Sequence, residues 1–127
     1  MIGASGRFPA NVIVTDPVGY LEMLKLTMDS VKVLTDSGGL QKEAYFLGKQ
    51  CITLRTETEW TETLHDGWNT ITGTDPLKIL DAINSPVPSA ARKPAFGDGH
   101  AAELIVGSLM LADRDDRDDR DGRDKRD

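Results

Sequence analysis

The stretch Val31-Lys32-Val33-Leu34-Thr35-Asp36-Ser37-Gly38-Gly39-Leu40-Gln41-Lys42-Glu43-Ala44 decides the fold. Its β-branched, apolar start, Val31 to Thr35, reads as a strand. Asp36-Ser37-Gly38-Gly39 breaks that pattern, and Leu40 to Leu47 then resumes helical spacing until Gly48 stops it. Strand, glycine turn and helix follow one another. Upstream, Asn11 to Thr15 predicts a further buried strand, ended by Asp16-Pro17 because proline cannot donate to a ladder. From Pro17 to about Asp29 the apolar residues Tyr20, Leu21, Met23, Leu24, Leu26 and Met28 predict a helix with Pro17 in its first turn. Downstream, Cys51 to Leu54 predicts a strand and Thr70 to Thr72 another, separated by a polar loop through Trp60 and His65. Asp75 is placed to cap a helix that Pro76 opens and that runs to about Asn84. Four strands alternating with helices predict parallel βαβ units and an α/β layer structure.

The rest of the chain bounds the reading. Its 127 residues allow one domain. Pro86, Pro88 and Pro94 make Ser85 to Gly99 a connecting loop, and a last helix is expected from His100 to about Leu111. Residues 1–10 form an N-terminal segment, 11–111 the folded lobe, and 112–127 a charged tail. The tail repeats Asp-Arg-Asp, has no apolar residue after Ala112, and is expected to be disordered. Net charge is −6, of which the tail carries −2, and an acidic body argues against a nucleic-acid partner. Cys51 is the one cysteine and lies in an apolar run, which predicts a buried thiol, no intrachain disulfide and a reducing, cytoplasmic setting. No run approaches the roughly 18 apolar residues of a membrane span.

The candidate chemistry lies where the first quoted strand meets its helix. Backbone N–H groups at a helix N-terminus lack intrahelical acceptors and carry partial positive charge, and glycines let a phosphate approach the main chain. Ser37, Gly38 and Gly39 are therefore a candidate anion site, with Ser37 donating its hydroxyl; they read equally well as a helix cap and a turn. Glu43, on the second turn, is either a carboxylate for two ribose hydroxyls or a solvated flank residue. Arg55 ends a strand at the edge where ligands collect, yet Glu57 and Glu59 stand close enough in sequence to take it as an internal partner. His65, His100 and Cys51 share no metal-ligand spacing and are assigned no role. Gly3-Ala4-Ser5-Gly6 lacks the lysine and preceding strand of a phosphate loop and is set aside.

The run Val33 to Ala44, continued by Leu47-Gly48-Lys49, is similar to the signature of the non-hydrolysing UDP-N-acetylglucosamine 2-epimerase family. Leu54-Arg55-Thr56-Glu57-Thr58-Glu59-Trp60, Gly73-Thr74-Asp75 and Phe96-Gly97-Asp98-Gly99 resemble further family motifs in order, so the resemblance covers about Asn11 to Leu111. It implies a Rossmann-like lobe, most of the C-terminal one of a two-lobe GT-B type fold, with ligand between the lobes. It also implies that Ser37, Gly38 and Gly39 hold the UDP pyrophosphate, that Glu43 holds the ribose hydroxyls, and that Arg55 shapes the cleft. The implied ligand is UDP or a UDP-N-acetylhexosamine, and no cofactor or metal is implied. The family's reaction eliminates UDP to a glycal and re-adds it with inverted configuration at C2. Its acid and base positions fall before Met1, so no catalytic residue is assigned, and a separate N-terminal lobe or a second copy is the expected partner. The chain departs from the family at Val18, Met23, Gln50, Thr56 and Trp60, the last standing where bacterial members often have Arg. Two other readings are a non-catalytic UDP-sugar-binding remnant and the donor-binding half of a GT-B glycosyltransferase.

Overall fold

The computed structural model describes residues 8–121, and the chain divides into two units between Arg92 and Lys93. The set-aside segment Gly3 to Gly6 lies outside the described residues. In the first unit the order is α1 (Tyr20–Asp29), β1 (Lys32–Thr35), α2 (Gly38–Phe46), β2 (Gln50–Thr53), a 3-10 segment (Thr61–Gly67), β3 (Asn69–Ile71) and α3 (Pro76–Asn84). The strands form a parallel sheet in the order β1-β2-β3, with Val33 opposite Cys51 and Cys51 opposite Asn69. The expected α/β class is what the chain adopts. Central β2 is buried at all four residues, as a strand covered on both faces must be.

One expected strand is missing. Asn11 to Thr15 is irregular and exposed, with Ile13 88% and Val14 65% accessible, and Val12 N–H donates back to Pro9 O at 2.9 Å. β-branched residues favour an extended backbone, but a strand needs a neighbouring ladder and a covered face, and this run has neither. Helix α1 also starts later than Pro17. The Glu22 carboxylate accepts from Gly19 N–H at 2.6 Å, which makes Gly19 the N-cap and leaves Pro17 outside the helix.

The core is small. Val33 and Cys51 pack with Ala44 of α2, and Leu40 joins them from the same helix. The helical spacing predicts an apolar stripe of Leu40, Ala44 and Leu47; the face of α2 that is buried carries Gln41, Ala44 and Tyr45 instead, with Leu47 the half-buried C-cap. Two helix C-termini are closed by cations from elsewhere in the unit. Lys32 Nζ donates to Ala82 O at 2.7 Å and Ile83 O at 2.9 Å at the end of α3, and Arg92 Nη1 donates to Tyr45 O and Phe46 O at the end of α2. Both satisfy carbonyls that a helix end leaves open and oppose its partial negative charge. Asp75 caps α3 as expected, its Oδ1 accepting from Leu77 N–H at 2.9 Å.

The second unit contains α4 (Ala101–Asp121), whose first turn is fixed by Asp98 Oδ1 accepting from His100 N–H at 3.1 Å and by His100 Nδ1 lying 2.8 Å from Glu103 Oε2. α4 continues to Asp121, past the expected end near Leu111. Residues 122–127 lie outside the described residues.

Candidate functional site

Parallel strands deliver their C-terminal ends, and the loops that follow them, to one edge of a sheet. β1 ends at Thr35 and β2 at Thr53, and the two loops are joined from the start: Leu54 N–H donates to Thr35 O at 2.9 Å. The first loop turns into α2 through Ser37. Thr35 Oγ1 accepts from Ser37 N–H at 3.0 Å, setting the turn, and Ser37 Oγ accepts from Leu40 N–H at 3.4 Å as the N-cap. The cap reading of Ser37 is therefore correct. It does not displace the anion reading, because a hydroxyl that accepts from Leu40 keeps its own proton to donate, and the N–H groups of Gly38 and Gly39 have no intrahelical acceptor.

The two glycines play different parts. A Cβ on Gly38 would lie 3.4 Å from Glu59 Oε2 and 3.6 Å from Trp60 Nε1, so the close approach made there is by the second loop. A Cβ on Gly39 would meet only Ser37 Oγ, at 3.8 Å, so no loop packs on that exposed residue. Glu43 stands four residues beyond Gly39 and so shares its face of α2, one turn away and roughly 6 Å along. Its side chain is half-buried. An anion on the Gly39 amide and a diol on Glu43 would thus lie along a single helix face.

Arg55 follows β2 and forms a forked pair with Glu59, Nη2 to Oε1 at 2.8 Å and Nη1 to Oε2 at 3.2 Å. The internal-partner reading of Arg55 is the one observed, with Glu59 rather than Glu57 as the acid. Glu59 is held below the usual carboxylate range, first by its own backbone N–H and then by the Arg55 guanidinium, so it is ionised at neutral pH. The pair still belongs to the site, because Glu59 carries it against Gly38.

Three contacts that sequence reasoning missed hold this loop to α2. Trp60 Nε1 donates to Gly38 O at 2.8 Å, Lys42 Nζ lies 4.4 Å from the centre of the Trp60 ring, and Thr58 Oγ1 donates to Gln41 Oε1 at 2.6 Å. Gln41 is wholly buried, and its oxygen also accepts from Asn69 Nδ2 at 3.3 Å. Asn69 in turn takes a bond from Thr53 Oγ1 at 2.7 Å and donates to Thr63 Oγ1 at 2.9 Å. The signal for Gln41 was its step of three before Ala44 on the buried face. Among the described residues no group of three or more His, Cys, Asp or Glu could hold a metal, and no helix is long and apolar enough to cross a membrane.

Comparison with known proteins identifies the family. Residues 2–110 match the family model described as UDP-N-acetylglucosamine 2-epimerase. The chain is 50% identical over 97 residues to a UDP-N-acetylglucosamine 2-epimerase homolog of Methanococcus maripaludis, covering 76% of this chain and 27% of that protein. It is 43% identical over 96 residues to the UDP-2,3-diacetamido-2,3-dideoxy-D-glucuronate 2-epimerase of Pseudomonas aeruginosa, covering 74% of this chain and 27% of that one. A crystal structure of the Methanocaldococcus jannaschii UDP-GlcNAc 2-epimerase in complex with UDP-GlcNAc and UDP superposes with a TM-score of 0.66 at 41% identity, over 76% of this chain and 27% of that chain. The chain thus spans about a quarter of the length of these relatives. With a family model matched over most of its residues and a solved relative of the same topology, the chain belongs to the UDP-N-acetylglucosamine 2-epimerase family.

Proposed function

We propose that this chain supplies the UDP-binding part of a UDP-sugar 2-epimerase, and that the reaction it serves interconverts UDP-N-acetylglucosamine and UDP-N-acetylmannosamine by elimination and re-addition of UDP. The observation that carries the reading is the α2 face on which the exposed Gly39 and the half-buried Glu43 stand one turn apart below the Ser37 hydroxyl. A diphosphate placed on the Gly38 and Gly39 amides meets the positive end of the helix. Glu43, ionised, can accept from both ribose hydroxyls, which a bare phosphate does not offer. Arg55 lies on the same edge of the sheet as a second cation for the diphosphate.

The relatives' names share UDP and epimerisation at C2 but differ in the sugar, which supports assigning the nucleotide to this portion and leaving sugar choice to other residues. The reaction's acid and base are assigned to an N-terminal lobe that closes the cleft, and a second copy is the other candidate partner. Cys51, buried as a free thiol, accords with a cytoplasmic setting. Titration of the purified chain with UDP by calorimetry tests the reading. Saturable binding is expected, weakened about tenfold or more by Ser37→Ala and by Glu43→Gln, each of which removes one hydrogen-bonding partner of a charged ligand. Binding that both substitutions leave unchanged overturns it.

A further inference from the structure

We propose that Glu59 is an internal competitor for the diphosphate end of the site: it occupies Arg55 and presses a carboxylate against the N-terminus of α2 until a nucleoside diphosphate exchanges with it. The inference rests on the UDP reading given above. One donor on each terminal nitrogen of Arg55 is committed to Glu59, at 2.8 and 3.2 Å, so a phosphate takes this fork of Arg55 only by displacing the Glu59 carboxylate. Glu59 Oε2 stands 3.4 Å from where a Gly38 side chain would begin, at the first residue of the helix whose amides receive the anion. Its place is not an accident of one exposed side chain. The loop that carries it is tied to α2 on both sides of Glu59, through Thr58 to Gln41 and through Trp60 to Gly38.

A phosphate presents the same paired oxygens to a guanidinium fork as a carboxylate does, so Arg55 can pass from one to the other without losing hydrogen bonds. Like charges about 4 Å apart in a solvated site weaken binding several-fold, and Glu59 imposes that cost on every anion that reaches the amides. A diphosphate offsets it by giving one phosphate to α2 and the other to Arg55. A monoanion such as chloride or acetate has no second group to give. Glu59 therefore makes an otherwise general anion site selective for diphosphates.

The test is a calorimetric titration of the full chain and of its Glu59→Gln and Glu59→Ala variants with UDP and, as an uncharged control, uridine. Circular dichroism verifies that each protein is folded. Removing the carboxylate should tighten UDP roughly three- to tenfold and leave uridine unchanged. In the unmodified chain, the Nε–H resonance of Arg55 should shift on saturation with UDP and stay in place with uridine, a reading that needs no variant. If the unmodified chain binds UDP and both substitutions weaken it or change nothing, Glu59 positions Arg55 instead and the inference fails while the UDP site stands. If the folded unmodified chain binds no UDP, the site reading fails and takes this inference with it.

Discussion

At the scale of single residues, Cys51 shows how burial sets chemistry. Desolvation pushes its thiol from 9.0 up to about 11, against a small opposing contact with Thr53 Oγ1 at 3.8 Å. The thiol is therefore protonated and inert at neutral pH. Because the unfolded chain loses this proton first, it binds fewer protons than the folded one above about pH 9, and stability falls with rising pH until about 11. Thermal midpoints measured across that window should drop more steeply for the unmodified chain than for Cys51→Ala; equal slopes would refute the assignment. Ser37 shows a different lesson. Its residue type and place before two glycines announced both a cap and an anion donor, and the structure satisfies the cap while leaving the proton. Arg55 was legible as a cation at the C-terminal edge of the sheet, but which of two nearby glutamates takes it depends on where the loop folds, and sequence distance does not contain that.

At the scale of elements, β1, α2, β2 and α3 were legible because their apolar spacing and their stops agree. The α2 glycine turn and the Asp75-Pro76 start are local signals that need no partner. Asn11 to Thr15 carried an equally good local signal and fails as a strand, since pairing is decided by what lies beside it. The loop after β2 was legible only as polar. Its structure comes from the buried chain Thr53, Asn69, Gln41, Thr58 and Thr63, which no periodicity reveals. Asn69 is the joint, bonded to β2, to α2 and to the 3-10 segment. Replacing it by leucine removes three hydrogen bonds at once and takes from the buried Thr53 hydroxyl its oxygen acceptor, and Asn69→Leu should cost about 2–4 kcal/mol in urea denaturation. A loss under about 0.5 kcal/mol would show that the network contributes little.

At the scale of the whole molecule, much apolar surface is uncovered. Ile13 is 88% exposed, Leu21 78% and Leu77 78%, and Leu104 on α4 is 69% exposed. The chain spans about a quarter of its relatives' length, and a cleft enzyme takes orientation and water exclusion from both walls. Supplied alone with UDP-N-acetylglucosamine, the purified chain should give no epimerisation above background when followed by proton NMR at the sugar anomeric signals. Adding a separately expressed N-terminal lobe of a relative should produce turnover. Turnover by the chain alone would refute the division of labour proposed here.

The amino-acid sequence by itself determined the α/β class and the glycine-turn helix start, because hydrophobic period, caps and turn chemistry act within a few residues of one another. Only the tertiary structure decided that Asn11 to Thr15 stays unpaired, that Glu59 rather than Glu57 holds Arg55, and that Gln41 is buried under the loop. Each of those outcomes depends on which groups far apart in the chain come within hydrogen-bonding distance, and that distance exists only once the sheet has formed.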